Sequence, residues 1–328
     1  MLGWMTVASP YAAQLARMPA ETRILTLGGS RTHVWEYGDS AADTVIVVVH
    51  GFRGDHHGLE PVIAQLDGFR IVSPDLPGFG ESTARDAKHD VDGYAAWLRE
   101  LVAVVRAEGP AGRRLVILGH SFGSIIVSAA LAAGLDADEA ILINPIAAPA
   151  LAGPRGVMTR LAIFYYWAGA ALPERLGFFV LRAKPVVRIM SVTMAKTKQK
   201  SLRRWIHDQH DRYFSAFESR SVVLDAFRAS VSHDVGEYAA RIAVPTLLVA
   251  ADRDDITPIE AQYRVQKVIP DATLVVLHDV GHLIHYERPV EAAEAITEFL
   301  GRTGPKRDGP KRDGPRRDGP RRDGPSAP

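Results

Sequence analysis

Leu115-Val116-Ile117-Leu118-Gly119-His120-Ser121-Phe122-Gly123-Ser124 reads as a buried strand, a sharp turn and the start of a helix. Its first four residues are apolar and partly β-branched, as a strand covered on both faces should be. Residues 125–133 are apolar and small, which suits a buried helix. Between them stands Gly-His-Ser-Phe-Gly, an instance of G-x-S-x-G. A serine lifted on so tight a turn needs small neighbours two residues away on each side, and Gly119 and Gly123 supply them. The helix N-terminus behind Ser121 favours developing negative charge.

Working outward, the flanking segments alternate. Residues 23–27 and 32–37 predict two strands joined at Gly28-Gly29-Ser30, a hairpin signal. The Val-Ile-Val-Val-Val run ending in His50-Gly51-Phe52-Arg53-Gly54 predicts a central parallel strand. A helix over 59–66, a strand over 69–72, an amphipathic helix over 91–108 and a strand over 140–144 follow. The predicted class is therefore α/β, a mostly parallel central sheet with helices on both faces. Over 151–234 the strand pattern stops and helical spacing takes over. Strands return over 246–250 and 273–277, with helices over 259–268 and 290–300. An insertion between strands of a parallel sheet is expected over the carboxyl ends, where such sheets bind ligands. The predicted organisation is an extension (1–21), a core in two parts (22–150 and 235–301), a helical lid (151–234) and a tail (302–328).

Composition bounds the rest. The 328 residues are 47% hydrophobic and 23% charged, ordinary for a globular protein with a large core. With no cysteine, disulfides and thiolate metal sites are excluded. No stretch is long and apolar enough to span a membrane, and the N-terminus lacks the pattern of a secretory signal, so a cytoplasmic location is expected. The net charge of +1 hides an asymmetry: 151–234 holds 14 basic and six acidic residues, the tail nine and four. The tail repeats Gly-Pro-Lys/Arg-Arg-Asp from Gly304 and has no apolar residue to bury, so disorder is expected there. A functionless tandem duplication explains it as well as attraction to an anionic surface does. The lid concentrates large apolar residues over 161–167 and 176–181 and basic ones at Lys184, Arg188, Lys196, Lys198, Lys200, Arg203 and Arg204. Its apolar faces either pack on the core or line an acyl pocket, with the basic face resting on an anionic membrane.

A serine hydroxyl becomes a nucleophile when a base takes its proton, and the base must be oriented by an acid. After the strand at 246–250 comes Ala251-Asp252-Arg253-Asp254-Asp255-Ile256-Thr257-Pro258; after the strand at 273–277 comes His278-Asp279-Val280-Gly281-His282. Asp and His thus follow Ser in the chain. Three aspartates and two histidines, with His285 beyond, remain open on the residues alone.

Over residues 22–301 the chain resembles the α/β-hydrolase-fold serine hydrolases, esterases and lipases among them. The resemblance rests on His50-Gly51-Phe52-Arg53-Gly54, Asp75-Leu76-Pro77-Gly78-Phe79-Gly80-Glu81-Ser82, the Ser121 turn and the late Asp and Gly-His segments. It implies the α/β-hydrolase fold with an inserted lid, and a triad of Ser121, Asp254 and His282. Asp254 stands four residues before Pro258 as the family's acid does, although Ala251 replaces the usual glycine; His282 follows Gly281 as the family's histidine does. It implies an oxyanion hole from the backbone N–H groups of Phe52 and Phe122, with His50 and Gly51 bracing that loop. A nucleophilic aspartate would have pointed to epoxide hydrolases or dehalogenases; Ser121 does not. The expected activity is hydrolysis of a small-molecule carboxylic ester, apolar or lipid-like. No cofactor, resident metal or specific nucleic-acid partner is expected. C–C bond hydrolysis, thioester hydrolysis, acyl transfer or plain binding on the same fold are the alternatives. Asp55, His56 and His57 invite a metal reading, but adjacent histidines do not easily face one ion.

Overall fold

The computed structural model describes residues 7–149 and 156–303. Its centre is one eight-stranded sheet: β1 (Ala20–Leu27), β2 (Ser30–Gly38), β3 (Thr44–Val49), β4 (Arg70–Pro74), β5 (Arg114–His120), β6 (Glu139–Ile143), β7 (Thr246–Ala251) and β8 (Ala272–Leu277). The spatial order is β1-β2-β4-β3-β5-β6-β7-β8. β1 and β2 form the antiparallel hairpin, with Gly28 and Gly29 at φ +53° and +82°, the left-handed pair that a tight primed turn requires. β2 is antiparallel to β4, and every later pairing is parallel.

The α-helices are α1 (Ala12–Leu15), α2 (Glu60–Ile63), α3 (Val91–Glu108), α4 (Phe122–Ala132), α5 (Gly156–Ala171), α6 (Glu174–Leu181), α7 (Lys184–Met194), α8 (Lys200–Tyr213), α9 (Arg220–Ser232), α10 (Ile259–Val268), α11 (Ile284–Glu287) and α12 (Pro289–Thr303). The period-2 alternation of β3 and β5 builds two cores. Val45, Val47, Val49, Leu115 and Ile117 pack with α3 and α4 on one face. Ile46, Val48, Val116 and Leu118 pack with α2 and α12 on the other. The predicted helix over 59–66 is shorter than expected: α2 is four residues long, and Gln65 and Leu66 bond back three residues, to Val62 and Ile63, in tighter turns. The sheet begins at Ala20, paired with Tyr37, slightly before the boundary read from sequence. At the other end α12 runs through Thr303, so Arg302 and Thr303 of the expected tail (302–328) are helical, and the rest of it lies outside the described residues.

Topology places the chemistry. From β3 the chain steps to β4 on one side, then returns to β5 on the other. The carboxyl ends of β3 and β5 therefore lie side by side, with Val49 paired to Gly119, at the point where strand order reverses. Helices α5–α9 all fall between β6 and β7. Prolines punctuate them: Pro173 caps α6 and Pro185 starts α7, where a missing N–H costs nothing.

Candidate active site

Ser121 joins β5 to α4 at φ +53° and ψ −118°, a strained conformation for a residue with a side chain, costing roughly 1–3 kcal/mol. Its glycine neighbours are required by backbone contact. A Cβ on Gly119 would lie 2.5 Å from the Gly123 carbonyl oxygen, and one on Gly123 2.2 Å from that of Val49. The turn directs Ser121 Oγ to His282 Nε2 at 2.7 Å. His282 Nδ1 lies 2.8 Å from Asp254 Oδ2. Asp254 also accepts from the backbone N–H of Ile256 and Thr257 at 2.8 and 3.2 Å. Burial pushes its carboxyl up, but the charge and hydrogen bond of His282 and the two N–H groups outweigh this and hold it below the usual carboxylate range.

The other candidates stand elsewhere. Asp252 meets exposed His278 at 3.1 Å, and Asp255 pairs with Lys196. His285 is buried against His120, ring centroids 4.1 Å apart. Asn144 was missed by sequence reasoning. Fully buried at the end of β6, with φ +46°, it donates from Nδ2 to Asp254 Oδ2 at 3.0 Å and accepts from Ile284 N–H at 3.3 Å. The available signal was a lone asparagine closing the apolar run Ile141-Leu142-Ile143, just before Pro145.

The loop after β3 lies against the serine turn: a Cβ on Gly51 would meet Ser121 Cβ and His120 Nδ1, both at 3.2 Å. His50 donates from Nδ1 to the Gly51 carbonyl at 2.9 Å and accepts from Leu76 N–H at Nε2, also 2.9 Å, so it links the loops after β3 and β4. Burial lowers its pKa and keeps it neutral. Phe52 and Phe122, whose N–H groups are the expected oxyanion donors, have their rings 6.4 Å apart, edge to face. Asp75 is scaffold. It accepts from the backbone N–H groups of His56 and Glu81, both at 2.8 Å, and a Cβ on Gly80 would clash with it. The donor atoms of Asp55, His56 and His57 lie within 4.8 Å of one another, so adjacency did not keep them apart. The two imidazoles are packed in a row of rings: Trp35 stacks on His56 at 3.4 Å, His56 meets His57 tilted at 3.9 Å, and His57 stacks on Tyr213 at 4.0 Å.

Two cavities meet at Ser121 and His282, sharing Phe52, Met190, Met194 and Ile256. The larger, about 260 Å³, is walled by Ile146, Ala162, Tyr166, Phe227 and Val231. The smaller, about 150 Å³, is walled by His120, Gln209, His210, Tyr213 and His285. Burial depresses the pKa of His120 and His210 to about 3 and that of His285 well below its usual value, so these three imidazoles line it in their neutral form, with Arg53 and Asp55 also on its wall. A hollow of about 820 Å³ lies at the amino ends of β3 and β5, the opposite end of the sheet from Ser121.

Comparison with known proteins agrees with this architecture. The family model of the alpha/beta hydrolase fold matches residues 44–289, and the chain belongs to that family. Among its relatives, Lipase 1 of Psychrobacter immobilis is 27% identical over 85% of this chain and 84% of its own length. The 2-hydroxy-6-oxo-6-(2'-aminophenyl)hexa-2,4-dienoic acid hydrolase of Metapseudomonas resinovorans is 21% identical over 85% of this chain and 91% of its own. The solved esterase of Exiguobacterium antarcticum superposes with a TM-score of 0.67 at 18% identity, covering 84% of this chain and 98% of that one. The chain is thus an alpha/beta hydrolase similar to proteins named as lipases and esterases.

Proposed function

We propose that the protein hydrolyses carboxylic esters with an apolar, lipid-like acyl part, through an acyl-enzyme on Ser121. The observation that carries this is the relay from Ser121 through His282 to Asp254, at 2.7 and 2.8 Å, where the two cavities join. Ser121 Oγ attacks the acyl carbon while His282 Nε2 takes its proton. The N–H groups of Phe52 and Phe122 receive the oxyanion, each donor worth roughly 3–4 kcal/mol. As the C–O bond breaks, His282 returns the proton to the leaving alcohol. Water, deprotonated in turn by His282, then attacks the acyl-enzyme and releases the acid. Asp254 holds the imidazole tautomer and steadies its positive form.

The larger cavity suits the acyl chain, being walled by Ile146, Phe227 and Val231, and the smaller one, where His120, His210, Gln209 and Tyr213 offer polar atoms, suits the alcohol. Helices α5–α9 act as the lid in this reading. C–C bond hydrolysis on the same relay is the second reading, favoured by the hexadienoic acid hydrolase among the relatives. Such an acid carries a carboxylate, and Lys196, on the wall of the larger cavity, is already paired with Asp255. The test is p-nitrophenyl ester hydrolysis across short to long acyl chains, with Ser121→Ala as the blank. Rates that rise with chain length and vanish in the variant support the proposal. An absence of Ser121-dependent rate on every ester overturns it.

A further inference from the structure

Seven of the twelve large apolar side chains that stand exposed among the described residues fall within one segment, from Leu161 to Val192. The other five are scattered over β1, α10, α12 and a loop. On α5, Leu161, Phe164 and Trp167 follow helical spacing and so share a face, with Phe164 and Trp167 stacked at 5.7 Å. On α6 they are Leu176 and Phe179, and on α7 Ile189 and Val192. These helices are not short of inward contacts. Tyr166 is buried, and a Cβ on Gly169 would run into Leu181 of α6. α5 is therefore apolar toward the protein and apolar toward solvent, and among the described residues its outer face lacks a partner.

Charge identifies the partner. Between residues 156 and 207 stand ten lysines and arginines and one acidic residue, Glu174. Arg160, Arg175 and Arg182 are exposed on or beside the helices that carry the apolar side chains. Apolar side chains that need hydrocarbon, set among cations that need anions, match the boundary between the acyl chains and headgroups of an anionic bilayer. We propose that the outer faces of α5, α6 and α7 form a docking surface for an anionic lipid membrane. The inner sides of α5 and α7 wall the larger cavity through Ala162, Tyr166, Met190 and Met194, so the docked face is carried by the same helices that enclose the substrate space. The inference goes beyond the ester-hydrolase reading and does not need it.

The test is vesicle flotation of the full chain without substrate, using phosphatidylcholine vesicles with and without phosphatidylglycerol. The expected result is binding to the anionic vesicles that salt weakens, little binding to the neutral ones, and a blue shift of tryptophan emission that Trp167→Phe abolishes. Phe164→Glu with Phe179→Glu should lower the bound fraction by about tenfold, and an unchanged melting temperature shows that the variant is folded. Failure of the wild type to bind, or equal binding to both vesicle types, overturns the proposal. So does binding that the paired substitution leaves intact, which would assign it to the basic repeat after Thr303. Because no ester is cleaved in the measurement, its failure is distinguishable from failure of the ester-hydrolase reading.

Discussion

Arg53 donates from Nη1 to the phenolic oxygen of Tyr166 at 3.0 Å, tying the residue after Phe52 to helix α5. Its Nε donates to the Phe214 carbonyl at 2.8 Å, and its Nη2 to the Leu181 carbonyl and Ser215 Oγ at 2.9 and 3.3 Å. The guanidinium also lies over Phe214 and Phe217, 5.5 and 5.2 Å from their centroids. Arg53 is fully buried, and all four of these hydrogen-bond partners are carbonyls or hydroxyls. One rigid fork thus joins the loop after β3 to three places in the helical insertion.

Arg53→Met should therefore act in two ways. It leaves the Tyr166 hydroxyl, the buried Leu181 carbonyl and the half-buried Phe214 carbonyl without their donor, at roughly 1–3 kcal/mol for each buried group, so a loss of about 3 kcal/mol in urea unfolding is expected. It also frees the Phe52 N–H from its anchor, so kcat should fall while KM changes little. Arg53→Lys, which keeps the charge but loses the fork, should recover part of the stability and little of kcat. A proportional recovery of both would make Arg53 a packing residue and nothing more.

The acid assignment separates cleanly by substitution. Asp254→Asn keeps the shape of the group but removes the charge that accepts from His282 Nδ1. The same change in a serine protease triad leaves the geometry intact and inverts the histidine tautomer, so a fall in kcat of about 10⁴-fold is expected here. Asp252→Asn alters an exposed contact with His278 and should leave kcat within about twofold, as a surface change does. Steady-state kinetics on one short-chain ester decides. A fall in Asp252→Asn with none in Asp254→Asn would reverse the assignment.

Much of this was readable beforehand because it is local. Helices α3 and α10 match their sequence periodicity, and Gly119 and Gly123 announce a turn that no Cβ could enter. The relay was legible by chain order and resemblance. What stayed hidden depends on long-range meetings. Arg53 looks like a surface cation until Tyr166 and Phe214, more than a hundred residues away, close around it. Asn144 reads as the end of a strand until Gly281 and Asp254 arrive beside it. The division of the space beside Ser121 into two cavities likewise needs α7, α8 and the loop before α11 assembled together. Hydrophobic pattern reports which face is inward, not which residue it will meet.

Buried neutral histidines give the stability a pH dependence. His120, His210 and His285 have folded-state pKa values depressed by burial, to about 3 for the first two, against an ordinary 6.5. Between those limits the unfolded chain binds protons that the folded chain does not. Stability from this source is therefore complete above about pH 6.5 and is lost as pH falls below it, by up to about 1.4 kcal/mol per pH unit for each histidine. Urea unfolding between pH 7 and pH 5 should show this decline (roughly the window set by the ordinary histidine pKa). His210→Gln, which removes one such group, should make the slope shallower. An identical slope in the variant would mean that His210 is not the neutral, buried group described.

Cavity geometry predicts selectivity. Ile146 and Phe227 wall only the larger of the two cavities, whereas Met190 and Met194 border both. Ile146 is buried, so enlarging it to Trp fills space that the acyl chain would occupy while leaving the relay from Ser121 to Asp254 untouched. Overpacking of this kind costs roughly 1–3 kcal/mol in stability, which leaves a folded protein to assay. With p-nitrophenyl esters, kcat/KM for long acyl chains should drop by about tenfold or more, each excluded methylene being worth roughly 1 kcal/mol or more. The rate on acetate should be nearly unchanged. A uniform fall over all chain lengths would mean that the substitution disturbs Ser121 itself. A loss confined to esters of bulky alcohols would exchange the roles of the two cavities.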